Sequence, residues 1–150
     1  MIKYELIIID DDVITHFILK KMIERNPFFP RPFFFENAVD AIHFLKRNHS
    51  SKTRFLIFLD INMPEISGLS FAKTINKNIK VIFTTAYREY AIDGFNLQAV
   101  DYLLKPIEDQ ELRNAILKFE EIKKQDHASM DLKSIIAAVR QDQAHYRKRF

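Results

Sequence analysis

Acidic residues directly follow two of the most apolar runs in this 150-residue chain. Asp10, Asp11 and Asp12 come after the first run, and Asp60 comes after a later one. Carboxylates gathered in one pocket repel each other unless a divalent cation neutralises them or one of them keeps a proton. Oxygen ligands of this kind favour magnesium or manganese, with water or a phosphoryl group completing the octahedron. These acids therefore predict a site for a hard cation.

A hydroxyl and a cation follow two further apolar runs. Thr84 and Thr85 end one of them, and Lys105 stands before Pro106 at the end of the other. Taken singly, such a threonine is usually just β-forming and such a lysine is usually solvated. A hydroxyl, a cation and a metal ion around one carboxylate can together neutralise a transferred phosphoryl group. The combination therefore favours phosphoryl chemistry.

Between these residues the sequence alternates between strand and helix patterns. Apolar runs predict five strands, at residues 6–9, 33–35, 55–59, 81–84 and 100–104. Apolar residues at helical spacing predict five helices, around residues 17–23, 39–45, 69–75, 90–95 and from 112 onward. This alternation predicts an α/β fold with a doubly wound, five-stranded parallel sheet flanked by five helices, whose ligands bind at the carboxyl ends of the strands.

The composition excludes several classes of site. The chain has no cysteine, which rules out disulfides, thiol catalysis and thiolate-bound metals. Its only glycines, Gly68 and Gly94, cannot build a glycine-rich phosphate loop. No apolar stretch approaches the ~20 residues of a membrane span, and the first is too short for a signal peptide. We therefore expect a cytoplasmic protein without membrane contact.

Four motifs in this order resemble the receiver domains of two-component response regulators. They are Ile7-Ile8-Ile9-Asp10-Asp11-Asp12, Phe58-Leu59-Asp60-Ile61-Asn62-Met63-Pro64 with Gly68 behind it, Phe83-Thr84-Thr85-Ala86, and Tyr102-Leu103-Leu104-Lys105-Pro106. The resemblance covers about residues 4–120. It implies a flavodoxin-like receiver fold and phosphorylation by a sensor histidine kinase.

The resemblance also implies a phosphoacceptor and a metal site. Asp60 would accept the phosphoryl group. Asp10, Asp11 and Asp60 would bind Mg²⁺ or Mn²⁺, with Asp11 binding it directly and Asn62 contributing its main-chain carbonyl. The protein would then be a signalling phosphoacceptor that catalyses only its own phosphorylation and dephosphorylation.

Further residues acquire roles by the same resemblance. Thr85, Ala86 and Lys105 would bind the phosphoryl group, and the Lys105–Pro106 peptide bond would be cis. Tyr102 would be an aromatic switch that swings inward when Thr85 moves.

The segments 83–91 and 95–107 look most like receivers that precede LytTR-type (LytR/AlgR) DNA-binding domains. Tyr87 stands two residues after Thr85. We expect it to cover the phosphorylated pocket and slow attack by water.

The end of the chain has a different pattern. A polar break at 123–129 precedes apolar residues at helical spacing from Leu132 to Val139, and Asp131 is the predicted N-cap. We predict a receiver domain at 1–124 and an amphipathic helical linker at 125–150, leading to an output domain that is not in this sequence or belonging to a stand-alone receiver. DNA would be reached only through that output domain.

The tail also carries an apolar stripe and a basic end. The stripe predicts a homodimer or docking on the receiver's own face. The basic run 147–149 favours a solvated linker over a nucleic-acid contact.

Two other functions fit parts of the pattern. In a phosphatase of the haloacid dehalogenase type, Asp10 would be the nucleophile, Asp12 the acid, and Thr84 or Thr85 the second motif. Against this interpretation, the chain lacks a late paired-acid motif of that type after its lysine and is short for a cap. A pseudo-receiver would act only as a docking module, but the pocket residues are all present.

Overall fold

The computed structural model describes residues 3–26, 29–48, 50, 52–76, 78–90 and 97–148. Beyond residue 125 the described side chains are those of residues 136, 137, 139 and 140. The chain forms two compact units, residues 1–116 and 117–150. The division into 1–124 and 125–150 stays a prediction.

Five strands form one sheet in which every pair is parallel. They are β1 (Lys3–Ile9), β2 (Phe33–Phe35), β3 (Thr53–Asp60), β4 (Lys80–Thr85) and β5 (Asp101–Leu104), in the order β2-β1-β3-β4-β5. The predicted doubly wound sheet is confirmed. β1 and β3 begin a few residues before their apolar runs, because main-chain pairing continues through side chains that are not fully buried.

Four α-helices and one 3₁₀ helix lie in the described residues. They are α1 (Val13–Glu24), α2 (Ala38–Arg47), α3 (Gly68–Thr74), the 3₁₀ helix Arg88–Tyr90 and α4 (Asp109–Lys148). The helix predicted around 90–95 falls mostly on residues outside the described ranges. The first three α-helices begin at side-chain caps, in which Asp12, Asn37 and Ser67 each accept a hydrogen bond from a main-chain N–H of the first turn.

The prediction of a separate tail helix that starts at Asp131 was wrong. One continuous helix, α4, runs from Asp109 to Lys148. No glycine or proline follows Pro106, so the sequence contains no strong helix breaker in this stretch. The residues of the expected break are mostly compatible with a helix. Lys123 and Lys124 even pair with Glu120 and Glu121 one turn earlier.

Burial on both faces fixes the register of the central strand. All residues from Phe55 to Asp60 in β3 are buried. Ile57 and Leu59 pack into one cluster with residues of β1, β4, α2 and α3. A slip of one residue would turn these side chains to the opposite face. The register therefore holds the carboxyl ends of β1 and β3 at a fixed level.

Candidate functional site

Asp10 and Asp60 leave neighbouring strands at the same level, because Ile9 of β1 is paired with Leu59 of β3. Both carboxylates are buried, with Asp10 1% and Asp60 3% exposed, whereas Asp11 is exposed. One carboxylate oxygen from each of Asp10, Asp11 and Asp60 lies within 4.8 Å of the others. We call these three residues the acidic cluster. Their spacing allows all three to bind one cation.

Lys105 is the cation beside the acidic cluster. Its Nζ lies 2.8 Å from Asp10 Oδ2 and 3.6 Å from Asp60 Oδ1. Its main-chain N–H donates to the carbonyl of Thr85 at 2.7 Å, and the Lys105–Pro106 peptide bond is cis. Burial alone would lower the pKa of Lys105, but the hydrogen bond to Asp10 and the charges of Asp10 and Asp60 outweigh it and raise that pKa. Lys105 therefore stays protonated.

The carboxyl of Asp60 holds its proton more tightly than an exposed aspartate does. Burial, followed by the charge of Asp10, raises the pKa of Asp60 to about 7, although Lys105 and the N–H of Asn62 oppose the rise. Once Asp60 is ionised as well, the three carboxylates and one ammonium carry two net negative charges. A divalent cation would balance that charge, and carboxylate oxygens are the ligands that Mg²⁺ prefers. The residues present therefore fit such an ion.

Asp12 has a different task from its two neighbours in sequence. Its carboxylate accepts hydrogen bonds from Ile14 N–H and from the Thr15 hydroxyl, both at 3.0 Å, and so caps α1. The N–H of Ile14 makes the largest contribution to a lowered pKa of Asp12. Asp12 is therefore the N-cap of α1. An acid that ionises so readily is a poor proton donor, which counts against the dehalogenase-type role for Asp12.

Thr85 brings a buried hydroxyl to the end of β4. Its Oγ1 accepts hydrogen bonds from Asn62 Nδ2 at 3.2 Å and from Tyr87 N–H at 3.1 Å. The N–H of Asn62 also donates to Asp60 Oδ1 at 3.3 Å, while Ala86, next to Thr85, is exposed. The role of the Asn62 side chain escaped sequence reasoning, because no local pattern signals a contact between residues 23 positions apart.

Tyr102 is linked to the same loop. Its hydroxyl donates to the main-chain carbonyl of Tyr87, and its ring packs against the core cluster of the sheet. The Tyr87 side chain is 52% exposed. The inward swing of Tyr102 and the shielding role of Tyr87 stay predictions.

Gly68 supports the site from behind. An ideal β-carbon on this residue would lie 2.2 Å from the carbonyl oxygen of Asp60, so only glycine fits. Its N–H donates to the carbonyl of Ile61 at 2.8 Å. The chain has only two glycines, and this scarcity was the sequence signal that pointed to Gly68. The close approach of Gly68 to the main chain of Asp60 depends on the tertiary fold.

The sequence model of the response regulator receiver domain matches residues 6–117. The chain belongs to the response regulator receiver domain family. It is therefore a signalling module of two-component systems, and no finding favours the dehalogenase-type alternative.

Curated relatives of this receiver include transcriptional regulators. The transcriptional regulatory protein YpdB of Escherichia coli K12 is 29% identical over 128 residues, which cover 83% of this chain and 51% of YpdB. The sensory transduction protein LytR of Staphylococcus epidermidis is 33% identical over 117 residues, 76% of this chain and 45% of LytR. The resemblance to receivers of LytTR-type regulators is confirmed. The chain spans about half the length of these relatives.

Among solved structures, the REC domain of AraT, a response regulator from Geobacillus stearothermophilus, superposes with a TM-score of 0.70 at 28% identity, covering 85% of this chain and 99% of that domain. The receiver fold is confirmed. Among the described residues, no helix of this receiver combines the length and apolar composition that a membrane span requires.

Proposed function

We propose that this receiver takes a phosphoryl group onto Asp60 from the phosphohistidine of a sensor histidine kinase. The observation that carries the proposal is the position of Asp60, a buried carboxylate at the end of the central strand, beside Asp10, Asp11 and the Lys105 ammonium. These are the groups that phosphoryl transfer requires around a nucleophile.

The residues of the site divide the work of the transfer. A carboxylate oxygen of Asp60 attacks phosphorus as the P–N bond to the donor imidazole breaks, and the product is an acyl phosphate. Lys105 and the Thr85 hydroxyl neutralise phosphoryl oxygens, and the main-chain N–H of Ala86 is the third phosphoryl ligand of this proposal. Bound Mg²⁺ or Mn²⁺, held by the acidic cluster and the Asn62 carbonyl, would supply positive charge to the same oxygens.

The face of α1 supports docking of the kinase. Val13, Ile14 and Phe17 are 64%, 68% and 60% exposed, although they are apolar. Ile14 also lines a cavity of about 300 Å³ that includes Lys105 and Pro106. An apolar surface continuous with the phosphorylation site suits a partner that must bring its own phosphoryl group to that site.

The downstream part of the function follows the relatives. We propose that phosphorylation of this receiver controls an output domain of the LytTR DNA-binding type beyond residues 125–150, that the tail stripe forms a homodimer, and that signalling takes place in the cytoplasm. The chain itself would act as a signalling phosphoacceptor, and contact with DNA would be made only by the output domain.

Labelling with acetyl phosphate and Mg²⁺, followed by mapping of the acyl phosphate, tests the site. We expect one modified residue, Asp60, and no labelling of Asp60→Asn. Asp12→Asn is the matched control and should still be labelled, because Asp12 caps α1. Labelling on Asp10 in the wild type would favour the phosphatase, and no labelling at all would favour a docking module.

A further inference from the structure

Asn62 touches both groups that the proposed function places on either side of the phosphoryl oxygens. Its main-chain N–H donates to Asp60 Oδ1 at 3.3 Å, and its side-chain Nδ2 donates to Thr85 Oγ1 at 3.2 Å. Asn62 itself is exposed, whereas Thr85 is completely buried. A surface side chain is thus bonded to the buried hydroxyl at the end of β4.

The hydroxyl of Thr85 has no acceptor capacity left. A hydroxyl oxygen accepts two hydrogen bonds and donates one. Thr85 Oγ1 already accepts one from Asn62 Nδ2 and one from Tyr87 N–H, at 3.2 and 3.1 Å. With both acceptor positions filled, the hydroxyl is held from two sides and cannot turn freely.

These two bonds join neutral groups, and a phosphoryl oxygen is a stronger acceptor. Hydrogen bonds to an anionic oxygen are roughly twice as strong as neutral ones. A movement of Thr85 toward such an oxygen that broke the bond from Asn62 would be opposed by the loss of that bond. The Tyr87 N–H belongs to the loop that directly follows Thr85. The hydrogen bond from Tyr87 can therefore be kept when Thr85 and this loop move together.

We propose that the side-chain amide of Asn62 is a positioning group that restrains Thr85 in the unphosphorylated receiver and lowers the affinity of the site for a phosphoryl group. The inference rests on the proposed function. It concerns the side chain of Asn62, which is separate from the main-chain carbonyl assigned above to the metal.

Titration with beryllofluoride in saturating Mg²⁺ tests this restraint, because beryllofluoride binds aspartate carboxylates as a phosphoryl mimic. Asn62→Ala removes the amide and keeps the main-chain N–H and carbonyl. We expect beryllofluoride to bind this variant about 2- to 12-fold more tightly than the wild type, the range for one neutral hydrogen bond.

A double-mutant cycle with Thr85→Val separates restraint of Thr85 from a general effect on the fold. In the Thr85→Val background the hydroxyl is absent, so Asn62→Ala should no longer change the affinity. Asn37→Ala is the matched control: it also removes an asparagine side-chain bond, to Asp40 N–H at the start of α2, and should lower the Tm without changing beryllofluoride affinity.

Unchanged or weaker binding by Asn62→Ala, or an equal gain in the Thr85→Val background, would overturn the inference and leave the proposed function intact. A wild-type protein that binds no beryllofluoride would overturn the proposed function, and the inference with it.

Discussion

Lys105 Nζ lies 2.8 Å from Asp10 Oδ2, and among the described residues this is the closest pair of opposite charges at the carboxyl end of the sheet. Asp10 is 1% exposed and the Lys105 side chain 20% exposed, so the pair is shielded from most of the solvent. Removing one member of a buried pair leaves the other charge uncompensated.

Lys105→Met should therefore destabilise the metal-free protein by about 3 kcal/mol at pH 8. Below pH 6 the loss should be smaller, because Asp60, whose pKa is about 7, is then protonated and less negative charge is left unbalanced. Urea unfolding at the two pH values in EDTA measures the difference. An equal loss of stability at the two pH values would show that Lys105 does not stabilise the ionised carboxylate of Asp60.

Asp60 should make the metal-free protein less stable as the pH rises from about 4 to 7. The pKa of Asp60 is raised from 3.8 to about 7 in the folded state, so over this window the folded state binds more protons than the unfolded state. The contribution of this proton to the free energy of unfolding is fully present below about pH 4 and is lost as the pH rises through about 7. Asp60→Asn should remove this component and raise the Tm at pH 8 by about 5 °C.

Calorimetry across the pH range in EDTA checks this prediction. Addition of Mg²⁺ should raise the Tm of the wild type more than the Tm of Asp60→Asn. A wild-type Tm that rises between pH 4 and 7 in parallel with that of Asp60→Asn would contradict the raised pKa.

Gly68→Ala should be severely destabilising, by about 3 kcal/mol or more, because its β-carbon would overlap the main chain of Asp60 rather than a side chain that can move. Thermal unfolding measures the loss. Lys73→Ala, an exposed substitution on the same helix, should stay within ~0.5 kcal/mol of wild type. If Gly68→Ala unfolds like this control, the close approach is absent in solution.

Phe17→Glu should slow phosphotransfer from a histidine kinase by about tenfold or more, as expected when a charge is placed in an apolar docking surface. Labelling by acetyl phosphate should not change, because Phe17 is not part of the acidic cluster. Leu117→Glu is the matched control, since Leu117 is an apolar residue of similar exposure, 63% against 60%. Equal slowing by both variants would argue against docking on α1.

The double substitution Ile136→Glu and Val139→Glu should convert the proposed homodimer into a monomer. The two side chains are 41% and 49% exposed and lie three residues apart on α4. Light scattering of the wild type and of the double variant measures the mass. A wild-type monomer at concentrations of about 100 μM would exclude a stable dimer through this stripe.

The sequence predicted the sheet well because strands that are buried on both faces are uninterrupted apolar runs. The end of each run then placed Asp10, Asp60, Thr85 and Lys105 at one edge. The end of the chain was predicted less well. A polar stretch around Lys123 indicated a break, but polarity does not end a helix when glycine and proline are missing.

Contacts between distant loops could not be predicted at all. The bond between Asn62 and Thr85 and the approach of Gly68 to Asp60 both depend on how the loop after β3 folds back. Helical or strand periodicity carries no information about such a loop. The residue types were visible in the sequence, but their partners were not.

The absence of free space at Gly68 also limits the route of a signal. Gly68 meets the main chain of Asp60 without clearance and donates to Ile61, so the first turn of α3 and the end of β3 form a single rigid corner. We expect phosphorylation of Asp60 to cause little displacement of this corner. On the opposite side, Thr85 accepts single hydrogen bonds from Asn62 and Tyr87, and the Tyr102 hydroxyl donates one to the carbonyl of Tyr87. We therefore expect a structural change at Asp60 to be transmitted toward β4 and β5 rather than toward α3.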